Sequence, residues 1–143
     1  MALTIKKLDL DAITRQGIEA FPNECCGFLI GEETEKGNRS VIQIVPATNN
    51  REEEAQHRRF LITPENVMKT EKYAREKSLD IIGFYHSHPN APARPSDYDT
   101  EHAWPWYSYV ITSIMNREIN ETTSWILQDD RSKFNEKEIS VEE

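Results

Sequence analysis

Apolar residues fall in short clusters along this chain, and their spacing shifts between helical and alternating. From Leu8 to Phe21 the apolar set Leu8, Leu10, Ile13, Ile18 and Phe21, with Asp9 and Asp11 near the start, predicts a helix ended by Pro22-Asn23. Glu24 to Ile30 reads as a strand broken by Gly31, and Glu32 to Arg39, carrying Gly37-Asn38, as a hairpin turn region. Ser40 to Val45 predicts a second strand closed by Pro46, after which a polar stretch from Thr48 to Arg59 leads to Phe60-Leu61-Ile62. Thr63-Pro64-Glu65-Asn66 has the chemistry of a helix start: a capping hydroxyl, a proline at the first helical position and an acid in the first turn. That helix should run to about Lys77 with Val67, Met68, Tyr73 and Ala74 on its apolar face.

Ile81 to His86 is a short apolar run expected to form a buried strand. A proline-rich loop to Ser96 follows, then a short helix from Asp97 to Ala103 with Ser96 as its cap. Tyr107 to Ile114 and Thr122 to Leu127 predict paired strands joined by a turn around Asn116 to Asn120. From Asp129 the chain is charged, with Phe134 and Ile139 its only large apolar groups, so it reads as an edge strand or a loose tail. The order helix, strands, helix, strands predicts one α/β domain over 1–143, a single mixed curved sheet flanked by helices.

Composition narrows the classes. A chain of 143 residues, 37% hydrophobic and 29% charged, is long enough for one proper core and is not disordered in character. No run approaches the ~20 apolar residues of a membrane span. The segment Met1 to Asp9 lacks the apolar stretch of a secretion leader, which makes the cytoplasm the default expectation. A formal charge of −8 argues against a nucleic-acid partner, and the short basic cluster His57-Arg58-Arg59 follows the acidic run Glu52-Glu53-Glu54. Cys25 and Cys26 are adjacent, a poor geometry for a mutual disulfide. They should point to opposite faces of a strand, one into the core.

The chemistry concentrates in His86-Ser87-His88-Pro89, with Ser96, Asp97 and Asp99 beyond the loop. Strand alternation points His86 and His88 the same way and Ser87 the other. Two imidazoles and a carboxylate are three ligands of a tetrahedral zinc site, and a fourth position left for water is the catalytic arrangement. A His-x-His pair is also found as an ordinary packed or surface pair. Asp97 competes with Asp99 as the carboxylate, while Glu101 and His102 read as surface or supporting groups and His57 as a loop residue. Trp104, Trp106 and Tyr107 fit either a recognition patch or packing before a strand.

The combination of apolar strand, His86-x-His88-Pro89, a seven-residue gap from His88 to Ser96, and Asp99 resembles the signature of the JAMM (MPN-plus, JAB-type) zinc isopeptidases. Glu24-Cys25-Cys26-Gly27-Phe28-Leu29-Ile30-Gly31 is similar to the upstream glutamate element of that family, and the resemblance spans about residues 8 to 128. It implies a cytidine-deaminase-like α/β sandwich and one Zn²⁺ per chain held by His86, His88 and Asp99. It also implies Glu24 as general acid–base and Ser96 as donor to the oxyanion, a role compatible with capping only if the hydroxyl is free.

Glu24-Cys25-Cys26-Gly27, Ala93-Arg94-Pro95-Ser96 and the stretch from Asn49 to Pro64 look like the prokaryotic style, which implies cleavage at the C-terminus of a ubiquitin-like or sulfur carrier protein. The substrate tail is expected between the Thr48 to Phe60 segment and the Asn90 to Ser96 loop. Two other readings are a cell-wall or phage-tail type peptidase and a non-catalytic MPN scaffold. The full set of site residues disfavours the scaffold, and the absence of a leader or a wall-binding module the peptidase.

Overall fold

The computed structural model describes residues 2–34, 37–47, 49 and 62–143. Among the described residues seven strands and three helices follow in the order β1 (Ala2–Lys6), α1 (Lys7–Ala20), β2 (Cys26–Glu33), β3 (Arg39–Ala47), α2 (Pro64–Glu76), β4 (Asp80–Pro89), α3 (Asp97–His102), β5 (Ser108–Met115), β6 (Glu118–Leu127) and β7 (Phe134–Glu142). The strands join in the order β1-β3-β2-β4-β5-β6-β7 and close into a barrel. The sheet is mixed as expected, with β1–β3, β4–β5 and β1–β7 parallel and the other neighbours antiparallel. The expected curved sheet goes further than the sequence reading and closes on itself, because two strands far apart in the chain, β1 and β7, supply the closure.

β1 was absent from the sequence reading, yet its five residues alternate, with Leu3 and Ile5 buried and the others turned outward. The segment beyond Asp129 is neither edge nor tail. β7 pairs with β6 on one side and, from Ala2↔Glu138 to Lys6↔Glu142, with β1 on the other.

β2 runs through Gly31 rather than breaking there. A Cβ at that position would lie 1.9 Å from the Ser40 carbonyl oxygen, so glycine lets the bulged β2 sit against β3. Pro46 likewise lies inside β3, opposite Gly27. β3 pairs with β1 only at Arg39 and Ser40, so Pro46 needs no N–H on that side.

The core unites Leu3, Ile5, Leu29, Val41, Ile82, Tyr85 and Val110 from the strands with Ile13 of α1. α2 starts as read, with the Thr63 hydroxyl accepting from the Asn66 amide at 3.2 Å and Pro64 in the first turn. Its buried positions are Thr70 and Ala74, whereas Met68 and Tyr73 face solvent, which corrects the predicted apolar face. β5 and β6 meet at a two-residue turn, Asn116-Arg117, where both residues have positive φ (52° and 68°), the twist that suits a tight hairpin.

Candidate metal centre and active site

β4 is central to the site because it is hydrogen-bonded on both sides. It lies antiparallel to β2, with His86 opposite Cys26, and parallel to β5, with His86, Ser87 and His88 opposite Ile111, Thr112 and Ser113. The pleat then sends both imidazoles to one side, with ring centroids 4.9 Å apart. Asp99 arrives from α3, a single turn fixed at its start by a reciprocal cap. The Ser96 hydroxyl accepts from the Asp99 amide at 3.1 Å, and Asp99 Oδ2 accepts from the Ser96 amide at 2.9 Å. This places Asp99 Oδ2 3.3 Å from His86 Nε2 and 3.1 Å from His88 Nε2, while the two Nε2 atoms are 3.1 Å apart. All three side chains are buried.

His88 Nδ1 lies 2.9 Å from the Pro92 carbonyl, which can only accept, so Nδ1 carries a proton and Nε2 turns its lone pair inward. Burial pushes the His86 imidazole down, toward the neutral form. Burial pushes His88 the same way but is outweighed by the hydrogen bond and charge of Asp99, so His88 is raised. For Asp99, burial favours the acid, yet the charges and hydrogen bonds of the two imidazoles hold it well below the usual carboxylate range.

Three donors, two nitrogens and one oxygen, crowd together within 4.8 Å of one another. That donor set suits a cation of zinc type, and its supporting contacts fix the ligand orientations in advance.

Glu24 sits in the turn ahead of β2, not within a strand as expected. The residue is 5% exposed, and Oε1 has no hydrogen-bond partner among the described residues. Burial, with a smaller contribution from Asp99 and against the opposing pull of His88, raises its pKa to about 8. Its placement comes from Ser87, the residue between the two histidines. The Cys25 amide donates to Ser87 Oγ at 2.8 Å, and the Ser87 amide donates to the Cys25 carbonyl at 3.1 Å. Asn49 adds a hydrogen bond from Nδ2 to the Glu24 carbonyl at 3.1 Å.

Sequence reasoning missed this use of Ser87. Its signal is a small hydroxyl residue on the strand face opposite two candidate ligands.

Ser96 is exposed, and its hydroxyl spends a lone pair on the cap, so the O–H proton is free to be donated. Asp97 is exposed and outside the His86-His88-Asp99 group. Glu101 is exposed, and its carbonyl accepts from Arg131 at 3.2 Å. His102 stacks on Tyr98 with centroids 4.1 Å apart. His57 and most of the Thr48 to Phe60 segment lie outside the described residues.

Cys26 is buried and Cys25 half-buried, and burial raises both thiols, Cys26 to about 12, so neither suits a nucleophile. The three aromatics divide. Tyr107 packs edge-on against Phe84 at 5.3 Å, Trp106 covers the Arg39 guanidinium at 4.1 Å, and Trp104 is 66% exposed.

Residues 7–128 match the model of a family described as prokaryotic homologs of the JAB domain. A protein from Pyrococcus furiosus named desampylase is 35% identical over 121 residues, 83% of this chain and 76% of that protein. A Haloferax volcanii protein of the same name is 34% identical over 93 residues, 64% of this chain and 63% of that one. The solution structure of a Desulfitobacterium hafniense protein superposes with a TM-score of 0.85 at 29% identity, covering 99% of this chain and 93% of the other.

Proposed function

The chain belongs to the prokaryotic homologs of the JAB domain, and on that premise we propose that it is a zinc-dependent isopeptidase that releases ubiquitin-like proteins from their conjugates. One observation carries the reading: the ligand atoms of His86, His88 and Asp99 lie within 4.8 Å of one another beside a buried carboxyl at Glu24. The two relatives named desampylase point to the same substrate class. A sulfur carrier protein remains within that class as the notional partner, and the bond cut is an amide to a lysine side chain or to a chain terminus.

His86, His88 and Asp99 would hold the zinc. When bound, it supplies the Lewis acidity that brings the pKa of a water molecule toward ~7 and polarises a carbonyl. Glu24 takes the proton of the attacking water and delivers it to the departing amine. Burial holds this carboxyl at about 8 in the metal-free site; a cation on the three ligands would draw it down, so that it is ionised to take the first proton near neutral pH. Ser96 donates its free hydroxyl proton to the carbonyl oxygen as negative charge develops there. The Ser87–Cys25 hydrogen bonds keep Glu24 in register with the histidines, so the base does not need to search for its position.

The test is a purified fusion in which a ubiquitin-like protein is joined through its C-terminal glycines to a lysine side chain. Cleavage at the glycine carboxyl, lost on chelation and restored by zinc, supports the proposal. An enzyme with full zinc content that leaves the fusion intact refutes it.

A further inference from the structure

The loop between β4 and α3 carries prolines at 92 and 95, which have no N–H to give, so donors for its carbonyls have to come largely from outside. Three successive carbonyls find them on three different strands. The Ala91 carbonyl accepts from the Ser113 hydroxyl of β5 at 2.6 Å. The Pro92 carbonyl lies 2.9 Å from His88 Nδ1 of β4. The Ala93 carbonyl accepts from the Thr123 hydroxyl of β6 at 2.6 Å.

Strand register explains the convergence. Ser113 lies beside His88, and Thr123 lies beside Ile111, which in turn lies beside His86. Both hydroxyls therefore stand on the sheet face that carries the imidazoles. Ser113 and Ala93 are fully buried. The Trp125 indole donates to Thr123 Oγ1 at 2.7 Å, which leaves the hydroxyl proton for the Ala93 carbonyl. Asn90 secures the near end of the loop. Its amide donates to the Ile114 carbonyl at 2.7 Å, and its Oδ1 accepts from the Asn116 amide at 2.8 Å.

We propose that Ser113 and Thr123 are positioning residues for the metal centre, gripping the chain on either side of Pro92 so that its carbonyl fixes the His88 ring. The inference rests on the reading of His88 as a zinc ligand. Neither residue belongs to the His86-His88-Asp99 group, so each acts through the loop. A peptide carbonyl can turn when its neighbours are free. Held at both adjacent units, the Pro92 carbonyl stays aimed at Nδ1, keeps the proton there and leaves the Nε2 lone pair toward Asp99 and His86.

The same hairpin supplies a matched control. Thr112 and Thr122, each one position before Ser113 and Thr123, point to the other face of the sheet and join their hydroxyls at 2.9 Å. Thr122→Val breaks that pair and lowers stability without touching the loop.

Zinc dissociation constants, measured by competition with a chelator, compare wild type with Ser113→Ala, Thr123→Val, Thr123→Ser and Thr122→Val. Ser113→Ala and Thr123→Val should each weaken zinc roughly 10-fold, the lower end of what loss of a ligand's supporting contacts costs. Thr123→Ser, which keeps the hydroxyl, and Thr122→Val should stay near wild type. Wild-type affinity in both Ser113→Ala and Thr123→Val overturns the proposal. An equal loss in Thr122→Val overturns it too, because the effect would then follow general stability.

A second measurement needs no metal: solvent exchange of the His88 Nδ1 proton by NMR in chelated protein. Faster exchange in Ser113→Ala and Thr123→Val, with Thr122→Val like wild type, supports the proposal even where wild type takes up no zinc and the ligand reading has failed. Unchanged exchange in both overturns it while leaving the ligand reading intact.

Discussion

Replacing Glu24 with Gln separates the burial of this carboxyl from its chemistry. In the unfolded chain the glutamate ionises near 4.5, whereas in the fold burial moves it to about 8. Between those values the unfolded state has released a proton that the native state still holds. Wild-type stability therefore falls as pH rises through that window and levels off above it. At about 1.36 kcal/mol per unit, the fall between pH 5 and pH 9 is about 4 kcal/mol.

A glutamine cannot ionise, so the variant escapes this loss. It also buries an amide with one poorly satisfied end, at a pH-independent cost of about 1–3 kcal/mol. The variant should be equal to or less stable than wild type at pH 5 and more stable at pH 9. The difference between the two comparisons is about 4 kcal/mol whatever the amide costs. Guanidinium unfolding of chelated protein at both pH values measures it. A wild-type-to-variant gap that is the same at pH 5 and pH 9 would refute the reasoning. In zinc-loaded enzyme the same change should lower turnover ~10²–10⁴-fold.

His88→Ala should lose most of the bound zinc, measured by metal analysis after gel filtration, whereas His102→Ala should retain it; full occupancy in the former sinks the ligand assignment. Ser96→Ala should keep its metal and lose roughly 10²–10³-fold in rate, with partial rescue by Ser96→Thr; an unchanged rate beside a lower Tm would show that the hydroxyl only caps α3. Ser87→Ala strands the Cys25 amide, so it should cost about 1–3 kcal/mol of stability and reduce kcat with zinc content intact. A kcat equal to wild type would mean that Glu24 is positioned by other contacts.

The ligand side of the site was legible because its parts are close in sequence: one strand end, one rigid loop and one capped turn carry His86, His88, Ser96 and Asp99. Glu24 was legible only by resemblance to a family. Its relation to the histidines depends on the pairing of β2 with β4, and on Ser87, whose role is visible only once Cys25 lies opposite. An apolar cavity beside His86 and Asp99 draws Val67, Phe84, Trp104 and Phe134 from four separate places, and no local pattern announces such a convergence. Barrel closure was hidden for a related reason. β1 is five residues long, and β7 is largely charged and half-exposed, so each looks weak without the other. Met68 was misassigned because α2 packs through the small residues Thr70 and Ala74, which a hydrophobicity pattern undervalues.

The closure of the barrel by β1 and β7 also governs when the domain can finish assembling. Residues 2–6 find their partners at 138–142, so this seam joins contacts nearly the whole chain length apart. During synthesis β1 must wait, with one flank unpaired, until β7 has left the ribosome. Contacts of such long sequence separation slow folding, and an open strand flank invites pairing with other chains. A stalled or clipped chain lacking β7 would expose the flanks of both β1 and β6.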